Sequence, residues 1–452
     1  MLAPTFTTPL GPDYRAPGGP WAGPSLDALL TTVAAPDSAA RVARLAGGLR
    51  AQGVRPGDAV AWRSANRTEV DLCYRACWRL GAVAVPLHHL AGEAEVARLV
   101  AATAPAVVLD DLDHLPDGDP VTEPWADNEA LAAVLFTSGS SGDPKGVLHT
   151  QATLACKAVQ MRTAHGLGPD DCVLMPAPAA HISGLLNGVT LPGIVPFRTV
   201  FMARWDPAAA LEIIERERVT FMVGPPTFFV GLMEAPGFSP EQVASLRLIS
   251  SGGAGVSEAF VAEAERVLSA RVKRTYGSTE APTVISDGRP IGSVGIDFAD
   301  DGELLVRGPE VCVGYLDPAA TAEAFTADGW FRTGDLARRD PDGTIALVGR
   351  KKDIVIRGGE NISTAEVEAV LEAHPGVRQA VAVGIPDDRL GERVCAFVVG
   401  DPAFDLEACR EWCAARGVAR YKSPERVIRL DAVPVLASGK PDRASLRDRA
   451  SD

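Results

Sequence analysis

Short apolar runs alternate with amphipathic stretches along most of this chain, and that alternation constrains its fold more than any other feature. The pattern predicts helices over 38–52, 70–80, 93–102, 154–162 and 257–268. Between them it predicts strands over 59–64, 82–87, 106–110, 131–136, 172–175, 220–223, 246–250 and 271–276. Strands separated by helices build largely parallel sheets with crossover helices, an α/β architecture. After about Gly302 the texture changes to short strands, over 303–307, 344–348 and 354–356, separated by Asp/Gly turns such as Asp342-Gly343. A last unit reads as helix 364–373, strands 380–385 and 394–399, helix 406–415 and strand 427–430. With 452 residues, more than one domain is expected. The reading is a large α/β domain over 1–350 followed by a small α+β domain over 351–452.

In open α/β sheets ligands bind where strands end at their carboxyl side. The richest such place is Thr137–Gly146, TSGSSGDPKG, directly after the apolar run 131–136. Glycines let backbone N–H groups converge on one point, hydroxyls add donors, and such a concavity binds an anion. Lys145 adds a point charge. Polyphosphate suits this loop, although Pro144 before Lys145 rules out a Walker sequence. The competing reading of the segment alone is a flexible Ser/Gly loop. Three other loops also follow predicted strands: Gly224–Thr227, Ser250–Gly255 and Tyr276–Glu280.

The formal charge of −14 excludes a general nucleic-acid-binding surface, so an anionic ligand must be held by local cations. No apolar run approaches the roughly 18–20 residues of a membrane span. The Pro/Gly-rich start lacks the basic-then-apolar pattern of a secretory signal. A cytoplasmic protein is expected. The eight cysteines form no CxxC pair and no Cys/His cluster of metal spacing, which predicts buried reduced thiols. His88-His89 are expected to be structural, because neighbours on a strand or helix do not face one site.

Taken singly, Tyr276 reads as a half-buried core aromatic, Asp335 as a turn residue, and Glu280 and Lys440 as solvated surface groups. Seven segments in order change that reading: TSGSSGDPKG (137–146), HISGL (181–185), SGGAG (251–255), YGSTE (276–280), WFRTGDL (330–336), GRKKDIVIRGGENIS (349–363) and PVLASGKPDR (434–443). Together they resemble the adenylate-forming superfamily, which includes acyl- and aryl-CoA synthetases, over residues 39–446. The resemblance implies a large domain of β/α layers plus a small β-barrel-like subdomain, and a small, mobile C-terminal domain. It implies ATP-dependent activation of a carboxylic acid as acyl-AMP, release of pyrophosphate, and capture of the acyl group by a thiol. ATP, Mg²⁺ and coenzyme A are the expected cofactors and substrates.

By the same resemblance, Thr137, Ser138, Gly139, Ser140, Ser141, Gly142 and Lys145 hold the β- and γ-phosphates. Gly252, Gly253 and Ala254 line the adenine, and Tyr276 packs on it beside Gly277. Thr279 contacts the α-phosphate, while Glu280 holds Mg²⁺ together with Thr137. Asp335 accepts both ribose hydroxyls, as a carboxylate can, and Arg350 contacts the nucleotide. Lys440 bridges the substrate carboxylate and the α-phosphate, and Lys352 is the hinge between the two half-reactions. Gly358, Gly359 and Asn361 form the CoA side, with Gly359 giving the pantetheine arm room.

His181 is similar to the residue that gates the acyl pocket, and the segment 179–185 has no acid to pair with a substrate ammonium. Expected pocket walls are Ile182, Leu185, Leu186, Phe228, Phe229 and Pro282, apolar throughout. In the acetate-activating branch a tryptophan stands where this chain has Gly277, so an open pocket for a medium-chain, alicyclic, aromatic or polycyclic acid is expected. The partners expected are a small-molecule carboxylic acid, ATP and CoA, with no nucleic acid and no membrane span. The oligomeric state stays open between monomer and homodimer. Two alternatives remain: a half-reaction specialist, which either thioesterifies preformed acyl-AMP or loads a carrier protein, and a non-catalytic nucleotide-binding protein.

Overall fold

The computed structural model describes residues 14–16, 19–137, 144–253, 255–435 and 441–451. Two compact units emerge. The first comprises described residues up to Gly253, Glu263–Ile296 and Val306–Arg332. The second comprises 255–262, Asp297–Leu305 and the chain from Thr333 onward.

The first unit carries two sheets. Strands β1 (Ala59–Ser64), β2 (Val83–His88), β3 (Val107–Leu109), β4 (Leu131–Thr137) and β5 (Lys145–Thr150) belong to one. Strands β6 (Cys172–Met175), β7 (Arg198–Phe201), β8 (Phe221–Gly224), β9 (Leu248–Gly252), β10 (Arg271–Tyr276), β11 (Ile285–Ser286) and β12 (Arg289–Pro290) form the other, in the order β12-β11-β10-β9-β8-β6-β7. After β13 (Gly295–Phe298) and β14 (Glu303–Arg307), β15 (Gly314–Tyr315) completes the first sheet, ordered β15-β5-β4-β2-β1-β3. The βαβ units give parallel pairs, β1 with β2 and β3, and β8 with β9. The expectation of parallel pairing fails at one informative place. β4 turns straight back into antiparallel β5, so the phosphate-loop segment joins the two strands of a hairpin. Val147 and Leu148, buried within 145–150, make that return strand.

The helices here are α1 (Leu26–Val33), α2 (Pro36–Ala51), α3 (Thr68–Arg79), α4 (Glu93–Thr103) and α5 (Gln151–His165), of which α5 shows the clearest end signals. The Thr150 hydroxyl accepts from Thr153 N, the Thr153 side chain answers the Thr150 N–H, and Gly166 ends α5 in a left-handed conformation. The core holds the Trp62–Tyr74–Trp78 cluster, with ring centroids 5.0 and 5.4 Å apart. Buried polar tips find partners: Tyr74 Oη donates to Ala179 O at 2.7 Å and Trp78 Nε1 to Ala132 O at 2.9 Å.

In sequence order, β13, β14, β16 (Phe331–Arg339) and β17 (Ile345–Arg350) make a four-stranded sheet, the part expected to be barrel-like. The second unit ends in β18 (Ile354–Arg357), β19 (Glu360–Ser363), β20 (Val377–Asp387), β21 (Gly391–Gly400) and β22 (Arg426–Arg429). They lie in the order β19-β18-β21-β20, with β22 beside β21. Helices Thr364–Glu372 and Leu406–Ala415 cover this sheet, burying Val367, Leu371, Cys409 and Cys413. All eight cysteines are free, and all but Cys156 are buried. Among the described residues no helix is long and apolar enough to cross a membrane.

Candidate active site

Thr137 ends β4 and Lys145 opens β5, and these two residues pair across the hairpin. Ser138, Gly139, Ser140, Ser141 and Gly142 lie outside the described residues. The Lys145 ammonium stands 5.4 Å from the ring centroid of Tyr315, a cation–π contact. Tyr315 reaches the strand through β15, which pairs with β5. Its hydroxyl donates to Glu280 Oε1 at 2.8 Å. Burial pushes the Tyr315 phenol far up, so it stays protonated and keeps its donor role. One aromatic side chain therefore touches both the lysine of the phosphate loop and the carboxylate expected at the metal. Nothing in the dipeptide Gly314-Tyr315 signals this from sequence.

The segment after β10 brings Tyr276, Gly277, Thr279, Glu280 and Pro282 together. The first four are half-buried. The segment is a tight turn: Ser278 N donates to Ala281 O at 3.1 Å, and Ala281 N donates to Ser278 Oγ at 3.2 Å. Thr283 sits at φ +42°, a left-handed conformation that a β-branched residue rarely adopts. Such strain costs about 1–3 kcal/mol and persists only where surrounding contacts enforce it. Gly277 has a local reason to be glycine. A Cβ there would lie 2.2 Å from Thr283 N and 2.8 Å from Ala281 O, both backbone atoms. The open pocket expected from Gly277 is thus inseparable from the packing of this turn. Gly252 closes β9, Gly253 follows it, and Ala254 lies outside the described residues.

On the acyl side, His181 precedes the short helix Ile182–Leu185. Leu185, Leu186 and Phe229 are 0–1 % exposed within the core. Ile182 and Phe228 remain half-buried, and the Phe228 ring stacks on Trp205 at 4.4 Å. The expectation that His88 and His89 face apart is corrected here. β2 ends at His88, so strand alternation stops, and the two rings stack at 4.7 Å and 22°. The His88 ring also meets the His181 ring edge-on at 5.1 Å. Burial, with the His89 ring adding to it, lowers the His88 pKa to about 4 and keeps it neutral. Among the described residues no cluster of three or more His, Cys, Asp or Glu is arranged to hold a metal.

In the second unit, Asp335 and Arg350 face each other across β16 and β17, with Arg350 Nε 3.0 Å from Asp335 Oδ1. Asp335 is nearly buried and Arg350 half-exposed. Bonds to β14 hold the strand here: Gly334 N donates to Glu303 Oε1 at 2.9 Å and Thr333 Oγ1 to Leu304 O at 2.8 Å. Lys351 Nζ lies 2.6 Å from Asp301 Oδ2 and 3.2 Å from Glu303 Oε2, whereas Lys352 is exposed in the turn Lys351–Asp353. Gly358 and Gly359, at φ +58° and +88°, form a two-residue hairpin turn between paired Arg357 and Glu360. Nothing lies within 4 Å of a Cβ built on Gly359, so its backbone is open to an approaching chain. The Asn361 side chain and Lys440 lie outside the described residues. On either side of 436–440, Val435 and Pro441 pair, and Arg443 Nη1 reaches Glu368 Oε1 at 2.6 Å.

Known proteins resemble this chain in sequence and fold. The AMP-binding enzyme family matches over residues 36–123 and 110–316, and the AMP-binding enzyme C-terminal domain over 366–440. The medium-chain fatty-acid–CoA ligase of Escherichia coli (strain K12) is 33% identical over 471 residues, covering 89% of this chain and 83% of that protein. A feruloyl-CoA synthase of an Amycolatopsis species is 35% identical over 457 residues, covering 90% and 92%. The o-succinylbenzoate CoA synthetase of Bacillus subtilis, solved with its acyl-adenylate intermediate, superposes with TM-score 0.80 at 29% identity, covering 91% and 92%. The chain belongs to the AMP-binding, adenylate-forming enzyme family. Its class within that family is the AMP-forming acid–thiol ligases.

Proposed function

We propose that this chain is an ATP-dependent acyl-CoA synthetase acting on a hydrophobic carboxylic acid. The observation that supports this most is the Lys145–Tyr315–Glu280 contact chain, which joins the phosphate loop to the YGSTE segment. In the first half-reaction a carboxylate oxygen attacks the α-phosphorus of ATP. The acyl–phosphate bond forms and pyrophosphate leaves with the electrons of the broken P–O bond. In the second, the sulfur of CoA attacks the acyl carbon, the thiol proton is lost, and AMP departs. Such transfers depend mainly on positioning and charge stabilisation.

Lys145 neutralises the leaving phosphates and Thr279 binds the α-phosphate. Asp335 takes the ribose diol, with Arg350 releasing or sharing it as nucleotide binds. Lys440 carries positive charge to the reacting carboxylate. Glu280 and Thr137 offer oxygen donors only, and Glu280 spends one oxygen on the neutral Tyr315 hydroxyl. That donor set suits Mg²⁺, which takes one or two protein oxygens and fills its shell with water and phosphate. When bound, Mg²⁺ supplies charge neutralisation on the polyphosphate. The small domain, taken from residue 351, turns about Lys352 between the two half-reactions, and Gly359 then faces the pantetheine arm. A cytoplasmic location fits the nucleotide and CoA it consumes. The walls around Ile182 and Phe228 suit a medium-chain, alicyclic or aromatic acid.

The test is pyrophosphate release from Mg–ATP across a panel of carboxylic acids, each with and without CoA. Release with one apolar acid class, and acyl-CoA when CoA is added, is the expected result. Acyl-CoA formed only from supplied acyl-AMP would instead mark a half-reaction specialist.

A further inference from the structure

The strained turn carrying Thr279 and Glu280 is gripped by buried groups that none of the seven motifs explains. His149 lies on β5, four residues after Lys145, and is fully buried. Its Nε2 is 2.8 Å from Thr279 O. A carbonyl only accepts, so Nε2 carries the proton. Burial lowers this imidazole to about 4, so the ring stays neutral and Nδ1 accepts from Thr153 Oγ1 at 3.1 Å. One residue on, Cys312 N donates to Glu280 O at 2.7 Å. At the far end of the turn, Lys157 Nζ on α5 donates to Thr283 O at 3.1 Å. Lys157 is itself paired at 3.5 Å with Glu310, both side chains wholly buried, and Gln160 Nε2 holds the other Glu310 oxygen at 3.2 Å.

A buried ion pair is a weak source of stability, because desolvation offsets its attraction. Here its geometric consequence is specific: it presents an ammonium to the carbonyl of the one residue in this turn with a left-handed backbone. The same β5–α5 element that leads out of the phosphate loop thereby meets the segment at two carbonyls, those of Thr279 and Thr283.

We propose that His149 and the Lys157–Glu310 pair are positioning residues that hold the 277–283 turn in its strained form and so place Thr279 and Glu280 for adenylation. This rests on the activity proposed above. Held this way, the α-phosphate contact and the metal carboxylate keep their register with Lys145, since all are referenced to one strand.

The experiment compares the wild-type chain with Lys157→Met/Glu310→Gln, His149→Leu and His149→Gln. The paired substitution avoids leaving one buried charge alone. The double variant and His149→Leu are expected to lose about tenfold to a hundredfold in kcat for acid-dependent pyrophosphate release, the scale of a misplacement near 1 Å. Mg–ATP binding by calorimetry should weaken alongside, while KM for the acid changes little. His149→Gln, which keeps an N–H donor, should recover much of the loss. Adding Thr283→Gly to the double variant should also restore kcat, because glycine holds φ +42° without being gripped. Folded variants with wild-type kcat and Mg–ATP affinity would overturn the proposal. So would losses that merely track the folded fraction and are rescued by neither substitution. If the wild-type chain releases pyrophosphate with no acid, the activity reading fails, and Mg–ATP binding still decides the positioning claim.

Discussion

Glu280 and Asp335, the two carboxylates proposed to meet the metal and the ribose, are held by opposite means. Glu280, in the first unit, is met by a neutral phenol on a neighbouring strand. Asp335, in the second, is met by a half-exposed guanidinium. A neutral donor orients a carboxylate without using up its charge, which suits the metal-facing role proposed for Glu280. A cation partner compensates the charge until something else does, and a long, half-exposed side chain can move aside. Arg350 is also adjacent to the turn Lys351–Asp353, where the hinge is proposed. The contrast is between a carboxylate fixed from within by a neutral hydroxyl, on a turn braced by buried groups, and one secured by a half-exposed, exchangeable ion pair.

Removing each carboxylate tests that contrast most severely. Glu280→Gln should cut kcat for acid-dependent pyrophosphate release by about a hundredfold to a thousandfold, the scale of losing one preorganised electrostatic group. Asp335→Asn should act on binding instead. Losing hydrogen bonds from a charged acceptor, about 1.5–3 kcal/mol, predicts a rise in KM for ATP of about tenfold to a hundredfold with a smaller change in kcat. Steady-state kinetics that showed the same kcat and KM pattern for both variants would erase the distinction.

A smaller effect sharpens the first half of the comparison. Tyr315→Phe keeps the ring over Lys145 and removes only the hydroxyl on Glu280. A net hydrogen-bond value of about 1 kcal/mol predicts a fall in kcat of about fivefold, with KM for the acid unchanged in the same assay.

The two units should also differ in how stability responds to pH. Burial raises Glu372 in the second unit from 4.5 to about 7, against the help of the Ala380 N–H it accepts. A carboxyl with a raised folded pKa binds its proton more tightly when folded, so stability is fully present below about 4.5 and declines as pH rises towards 7. Glu372→Gln should therefore stabilise this unit at pH 8 and not at pH 4, by about 1–3 kcal/mol. Urea unfolding followed at both pH values measures it, and equal effects at the two would contradict the assignment.

Much of this was legible in the sequence, for physical reasons that also explain the rest. Strands such as Arg271–Tyr276 and helices such as Leu406–Ala415 were readable because period and end residues agree. Strand Phe331–Arg339 was not, since FRTGDLARR has no alternation and is strand only through its partners. Of the return strand Lys145–Thr150, the loop read from sequence takes in only Lys145 and Gly146, and 147–150 carry no clear signal. Residues proposed to contact a ligand through their chemical type, such as Glu280 and Asp335, are nameable from motifs. Those that act through tertiary contact were invisible: His149 meets a residue 130 positions away, and Lys157 one 126 away. His88 escaped because alternation was assumed one residue past the strand's end.

In the proposed reaction a carboxylate of the substrate becomes bonded to the α-phosphorus of ATP. The most direct measurement is one turnover of an accepted acid labelled with ¹⁸O in both carboxyl oxygens, with Mg–ATP and CoA, followed by mass analysis of the nucleotide. The account predicts AMP carrying one ¹⁸O and an acyl-CoA retaining the other. Unlabelled AMP, or label found in inorganic phosphate beside ADP, would contradict it.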